Sequence, residues 1–517
     1  MDAISLLTPH TKSAVRPSSN DPSTIVDAIY NAYRICWYGR PGPSFIDLPA
    51  DLILNPSPPS SQHPTSRAPI SPPPKPIADP TLIHHAATLL CNAQAPLVIL
   101  GKGAAYSRSE HLINTLITRT NIPFLPTPMG KGIVPDSSPL NASSARSTAL
   151  RSADVVLLLG ARLNWILHFG APPKFRKDVK IIQVDISAEE LGRTNGVGDP
   201  ALSILADIGS VVEQLSQKLG SWKAFPSPDM SAALAGTFPA ELAAAAAKNE
   251  QKAQAKAATK TAFGAHLTYE RAYEVIKSTL NKLSPPEDGG IVYVSEGANT
   301  MDISRSAFPL SKPRQRLDAG TYATMGVGMG YCVAAHAAYN WPNRTKKIVA
   351  LEGDSAFGFS AMEIETMARQ GMDVLIFVMN NSGVYHGDSE SEDEWHKMRQ
   401  QSLVGETAID LAAQDMPQQD RTTGRGNKKG LRSTSLWYET RYEKLAEMVG
   451  GRGYFVRTEQ ELERASRDGF LEREKVVLVN VVVEPGLGKT ISFAWQQANK
   501  KHGGGNGQEG KGRDSKL

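Results

Sequence analysis

Cysteine is scarce: three in 517 residues, Cys36, Cys91 and Cys332. Their spacing matches no metal-ligand pattern, and three thiols cannot build a disulfide framework, so reduced thiols in a reducing compartment are expected. Long apolar runs are missing too. None approaches the roughly 20 residues that span a bilayer, and the first residues lack the charged-then-apolar profile of a secretory signal. Basic residues are scattered, with a net charge of +4. No dense basic patch interleaves with aromatics, so nucleic acid is not a favoured partner. Two glycine-rich signatures are incomplete. Gly101-Lys102-Gly103 follows an apolar run, but Tyr106 stands where a dinucleotide fingerprint wants its third glycine. Gly486-Leu487-Gly488-Lys489-Thr490 imitates a phosphate loop, with Val483 in place of its first glycine. Both nucleotide readings are rejected. Glutamate, finally, is absent before Glu110.

What is present centres on Asp354 and Asn381. The apolar run Lys347 to Leu351 reads as a strand and is followed by Glu352-Gly353-Asp354-Ser355. A helix-like stretch, Ala361 to Gln370, comes next. A second apolar run, Val374 to Met379, then ends in Asn380-Asn381-Ser382-Gly383. An Asp at the end of one strand therefore meets an Asn at the end of the next. Both are oxygen donors, the ligand type a hard cation such as Mg²⁺ takes, with phosphate oxygens and water completing its shell.

With 41% hydrophobic residues, the chain can build two or three cores. Near the start, a helical stretch leads through Tyr38 to Gly39-Arg40-Pro41-Gly42-Pro43, and Ser44 to Pro49 reads as a short strand. Pro56 to Pro80 is rich in Pro and Ser and reads as an extended linker. Residues 81–220 alternate helix and strand, with strands at Pro96 to Leu100, Val155 to Leu159 and Lys180 to Val184. That alternation predicts a parallel sheet covered by helices. Residues 221–265 hold an Ala/Lys run, Ala243 to Lys260, that predicts a solvent-exposed helical linker. Ser389 to Arg432 is polar and reads as a partly disordered insertion. The last three residues, Ser515-Lys516-Leu517, form a peroxisomal C-terminal address. They follow Gly503 to Gly512, a stretch expected to be disordered and so open to an import receptor.

The strand–Gly-Asp–helix–strand–Asn-Asn unit resembles the diphosphate-binding fold of thiamine-diphosphate-dependent enzymes. Glu352 to Ser360, Met362 to Thr366, Asn380 to Gly387, Glu296 to Asn299, Gly326 to Tyr331 and Gly160 to Trp165 resemble one branch of it. That branch contains 2-hydroxyacyl-CoA lyase and oxalyl-CoA decarboxylase. The resemblance implies an α/β fold of doubly wound parallel sheets, with most of the N-terminal pyrimidine-binding domain missing. It divides the chain into a remnant of that domain (1–55), a linker (56–80), a central CoA- or nucleotide-binding-like domain (81–220), a helical linker (221–265), a thiamine diphosphate and Mg²⁺ domain (266–497, with the insertion 389–432) and a flexible tail (498–517).

The resemblance also implies roles. Asp354, the Asn381 side chain and the Gly383 carbonyl would hold Mg²⁺. The backbone of Gly353, Ser355 and Ala356 would approach the diphosphate, with Asn299 also lining the cofactor. Met325 would prop the cofactor's bend, its N–H meeting the pyrimidine and the Ala323 carbonyl accepting from the 4′-amino group; taken alone, Met325 would read as a core methionine. Lys102 and Arg162 would meet coenzyme A phosphates, and Asp185 and Asp207, read as strand ends, would face its ribose or adenine. Phe493 and Trp495 match aromatics that cover substrate, though core packing is the plainer reading. The family's activating glutamate belongs upstream of the segment matched by Ala3 to Leu7, and no candidate precedes Glu110. The chain as given is therefore expected to be inactive or barely active alone, whether as an incomplete record, a shortened paralogue or half of a shared site. The implied reaction cleaves a 2-hydroxyacyl-CoA to formyl-CoA and a one-carbon-shorter aldehyde in the peroxisome, by a homo-oligomer (dimer or tetramer). Oxalyl-CoA decarboxylase and a non-catalytic cofactor- or CoA-binding protein are the alternatives.

Overall fold

A computed structural model describes residues 2–19, 21–54, 67–192, 200–403 and 430–487. Gly488 to Thr490, Phe493, Trp495, Gly503 to Gly512 and the terminal Ser515-Lys516-Leu517 lie outside them, as does much of the Pro/Ser linker and of the polar insertion.

The chain begins with a small parallel pair, β1 (Ser13–Val15) and β2 (Ser44–Ile46), joined through a helix at Pro22–Trp37. Asp21 starts that helix by accepting the Ser23 N–H, and Pro22 occupies its first turn, where no donor is needed. Its apolar residues stay largely uncovered: Ile29 is 48% exposed and Tyr33 57%.

The central unit is a five-stranded parallel sheet of β3 (Pro96–Leu100), β4 (Phe124–Pro126), β5 (Val155–Leu159), β6 (Lys180–Asp185) and β7 (Ser203–Leu205), in the order β4-β3-β5-β6-β7. Every residue of β3 and β5 is buried, as expected of strands covered on both faces. Side-chain alternation divides them between two cores. Val98, Leu100, Leu157 and Leu159 face one, and Leu97, Ile99, Val156 and Leu158 the other.

The helical linker departs from expectation at its start. The helix runs Phe238–Ala258, and Phe238 and Leu242 are buried in the second central core; solvent exposure dominates only beyond them. A hydrophobic first turn thus docks the helix, with Ala243, Ala245 and Ala246 packing partly against the same core before the Ala/Lys remainder runs into solvent.

The C-terminal unit is a six-stranded parallel sheet of β8 (Ile291–Glu296), β9 (Arg316–Asp318), β10 (Lys347–Gly353), β11 (Leu375–Asn380), β12 (Arg452–Val456) and β13 (Val477–Val482), in the order β12-β13-β11-β10-β8-β9. The first sheet reverses its strand order once, after β4, and the second reverses after β9 and again after β12. The crevice outside the strand ends falls between β3 and β5 in the first and between β8 and β10 in the second, the place where open α/β sheets bind ligands. The polar segment after Ser389 is not all irregular. Glu392–Leu403 is helical, with Trp395 and Met398 buried. The Trp395 ring packs 4.8 Å from Trp437, and its indole N–H donates to the Leu436 carbonyl (3.1 Å). A single aromatic anchor orders this helix despite its polar composition.

Candidate functional site

β10 and β11 run side by side with Gly353 opposite Met379, so both release their chains at the same sheet edge. Asp354 starts a one-turn helix there, and Asn381 follows the last residue of β11. Their side chains converge. The Gly383 N–H donates to both Asp354 Oδ2 (3.3 Å) and Asn381 Oδ1 (3.2 Å), and the Ser355 N–H donates to Asp354 Oδ1 (2.7 Å). The amides of Asn299 (2.7 Å) and Asn381 (3.1 Å) both donate to the Tyr385 carbonyl, tying the end of β8 to the same loop. Ser382 and Tyr385 hold left-handed backbone, φ 60° and 66°, the strained geometry that collects at ligand sites. A Cβ on Gly383 would lie 2.3 Å from the His386 carbonyl oxygen, so glycine is required for this tight turn.

Asp354 is 3% exposed. Burial pushes its carboxyl up to about 7, against the pull of the backbone N–H groups of Ser355 and Gly383. Among the described residues no Lys, Arg or His forms an ion pair with it. A buried carboxylate beside an amide oxygen, with no protein cation, fits a hard divalent ion. Gly383 presents its N–H to the two oxygens in this structure; the Gly383 carbonyl remains an expectation. Asn380, whose role the sequence left open, is structural. Its amide donates to Asn480 Oδ1 (3.1 Å) and the Thr440 carbonyl (3.0 Å), and its oxygen accepts from the Ser382 N–H (3.2 Å).

The other half of the crevice is the turn from Gly320 to Gly328. Ala323 is left-handed (φ 50°) and exposed, and Met325 is half-buried. Gly326 follows with φ 89°, and the helix Gly328–Asn340 begins directly after. Beneath the turn lies a group that the sequence reading left without a role: Glu296, the last residue of β8, fully buried. Its carboxylate accepts the N–H groups of Gly326 and Gly328. Burial raises its pKa while those N–H groups and that of Val327 lower it. Glu352 stands opposite it in the register of β8 and β10. It is also fully buried, and among the described residues neither of its oxygens has a hydrogen-bond partner. Burial and the neighbouring Glu296 push its carboxyl well above the usual carboxylate range. A Cβ on Gly328 would lie 2.5 Å from a Glu352 oxygen and 2.7 Å from a Glu296 oxygen, so any larger residue would have to displace one of these carboxyl groups.

At the crevice of the central sheet, Lys102 follows β3 and Arg162 follows β5. The Lys102 ammonium sits 5.5 Å over the Tyr106 ring. Arg162 pairs with Glu190 (3.1 Å), which also binds Arg40 from the N-terminal unit (2.6 Å). Asp185 closes β6 and accepts the Ser187 N–H (2.9 Å), and burial raises its pKa. Asp207 does not end a strand. It lies two residues past β7 and caps the helix Ile208–Leu219, accepting the Ser210 N–H (3.1 Å). Lys102 and Arg162 thus share one crevice, while Asp207 is spent on a helix end.

Two parallel sheets, each with a crevice at a reversal point, and an Asp/Asn oxygen pair at the second define a cofactor-dependent α/β enzyme. Residues 83–215 match the thiamine pyrophosphate enzyme central domain, and residues 296–481 match the thiamine pyrophosphate enzyme C-terminal TPP-binding domain. The chain is 38% identical over 490 residues to 2-hydroxyacyl-CoA lyase 1 of Mus musculus, covering 94% of this chain and 76% of that protein. It is 39% identical over 500 residues to 2-hydroxyacyl-CoA lyase of Oryza sativa subsp. japonica, covering 94% and 77%. To oxalyl-CoA decarboxylase of Escherichia coli (strain K12) it is 35% identical over 506 residues, covering 98% and 79%. The chain belongs to the thiamine pyrophosphate enzyme family.

Proposed function

We propose that this protein is a 2-hydroxyacyl-CoA lyase that binds thiamine diphosphate through Mg²⁺ and releases formyl-CoA and an aldehyde one carbon shorter. The observation that carries the cofactor half is the convergence of Asp354 and Asn381 on the Gly383 turn at the end of β10 and β11. Asp354, Asn381 and Gly383 hold the metal. The backbone of Gly353, Ser355 and Ala356 receives the diphosphate, and Asn299 braces the loop through Tyr385. The left-handed Ala323 turns its carbonyl out of the regular backbone path, and Met325 follows as the apolar prop. Bound thiamine diphosphate supplies a nucleophilic carbon at thiazolium C2. Lys102 and Arg162, both at the central crevice, take phosphates of the acyl-CoA; Asp185 borders them.

The identities to 2-hydroxyacyl-CoA lyases support the substrate, and the terminal Ser515-Lys516-Leu517 supports import into peroxisomes by a tail-binding receptor. The second reading, oxalyl-CoA decarboxylase, rests on the Escherichia coli relative. Assays with a 2-hydroxyacyl-CoA and with oxalyl-CoA, following aldehyde and CO₂ separately, decide between them: whatever turnover the chain supports is expected as aldehyde release, and CO₂ from oxalyl-CoA as the dominant product would reverse the assignment. A fluorescent fusion with a free C-terminus is expected in peroxisomes and, after deletion of the last three residues, in the cytosol. An intact tail that leaves the fusion cytosolic refutes the localisation.

A further inference from the structure

We infer that Glu296 is a positioning residue: its carboxylate clamps the turn that carries Met325, and through it sets the pyrimidine half of the cofactor pocket. The inference rests on the thiamine diphosphate reading proposed above.

The geometry singles out this side chain. Glu296 ends β8, is fully buried, and accepts N–H groups on both sides of Val327. The Gly326 N–H belongs to the Met325–Gly326 peptide, so holding it fixes the plane in which the chain leaves Met325. The Gly328 N–H opens the helix Gly328–Asn340, whose own N-cap, Val327, supplies no side-chain acceptor. Glu296 therefore does from a neighbouring strand what an N-cap does locally, and places negative charge at a helix N-terminus. A Cβ added at Gly326 would approach the Phe359 Cβ to 3.2 Å, so the glycine leaves room there that a larger residue would take up. Asp354, Asn381 and Gly383 hang instead on β10 and β11, and none of their hydrogen bonds runs through the 326–328 turn.

That separation gives the test. Glu296→Gln keeps the volume but replaces one acceptor oxygen by an NH₂ donor, so one of the two clamped N–H groups faces a donor. Calorimetry on the full chain with Mg²⁺ uses two probes, thiamine diphosphate and inorganic pyrophosphate. Glu296→Gln is expected to weaken thiamine diphosphate roughly tenfold or more, the usual consequence of orphaning a buried N–H. Pyrophosphate affinity is expected to stay at the wild-type value. Glu296→Asp, which retains both acceptor oxygens, is expected to recover part of the loss. If both probes weaken together, Glu296 serves the fold at large and the inference is overturned; if neither weakens, it is overturned as well. A wild-type chain that binds neither probe overturns the cofactor reading itself and this inference with it. That outcome is distinct because the parent protein, not the variant, fails.

Discussion

Asp354 meets two demands that a protein interior seldom combines: it is almost wholly out of water, and among the described residues it has no cationic partner. Burial, against the pull of the backbone N–H groups of Ser355 and Gly383, lifts its carboxyl to about 7. A divalent ion supplied with the diphosphate removes that cost. Asp354→Ala is therefore expected to abolish Mg²⁺-dependent binding of thiamine diphosphate, and the same variant should lose pyrophosphate binding. Calorimetry with Mg²⁺ present measures both, and unchanged affinity for either would refute the metal assignment. The spacing of Asp354 and Asn381 was legible in sequence because each lies just past an apolar strand. Asn380 was seen only as the first of a pair, because its partners, Thr440 and Asn480, are distant along the chain.

At the scale of elements, continuous apolar runs made β3, β5, β10 and β11 readable. The three-residue strands β4, β7 and β9 carry too little pattern, and β10 runs on past Leu351 through Glu352 and Gly353. The helix Glu392–Leu403 escaped because only Trp395 and Met398 are buried on it, too short an apolar pattern to read in a polar segment. Helix docking in the C-terminal unit yields a pH prediction. Arg271, on the helix Tyr269–Leu283, donates to Glu459 (2.5 Å) at the start of the helix Glu459–Leu471. Glu459 also accepts the Thr261 N–H (3.0 Å), and Arg271 donates to the Ala257 carbonyl (3.0 Å), so the pair moors the end of the linker. The Arg271 hydrogen bond lowers the Glu459 carboxyl from 4.5 to about 2. A depressed carboxyl stabilises the fold above its unfolded pKa, and the gain disappears as pH falls through its folded pKa. Glu459→Gln is expected to cost about 1 kcal/mol at neutral pH, discounted for partial exposure. In denaturant titrations the gap to wild type should narrow between pH 4.5 and 2. A gap that stays constant over that range would remove the ion pair from the account.

At the scale of the molecule, the N-terminal unit stands out. Leu6, Ile29, Tyr33, Leu48, Ile53 and Leu54 are each more than a third exposed, and a two-stranded sheet with a helix has little core of its own. Neighbouring apolar exposure of this kind promotes association. Light scattering of the 517-residue chain is expected to show concentration-dependent self-association, reduced in an Ile29→Glu, Tyr33→Lys double variant. Identical behaviour of the two proteins would mean that this face is not involved. By contrast, the central and C-terminal units are joined by specific contacts. The Asp136 N–H donates to the Leu310 carbonyl (2.8 Å) and its carboxylate accepts the Leu310 N–H (2.9 Å), and the Arg314 guanidinium reaches the Ala105 carbonyl (3.2 Å) and Glu110.

The sequence by itself determined the parallel α/β class and the placing of Asp354 and Asn381 just past two apolar strands. Each is written in contiguous residues: apolar runs that must be buried, and polar residues placed where those runs stop. Only the tertiary structure decided that Asp207 caps a helix, and that Glu296 reaches beneath the 326–328 turn with Glu352 beside it. The physical reason is the sheet order. Placing β10 next to β8 brings together two carboxyl groups far apart in the chain, and no local pattern of residues encodes which strands become neighbours.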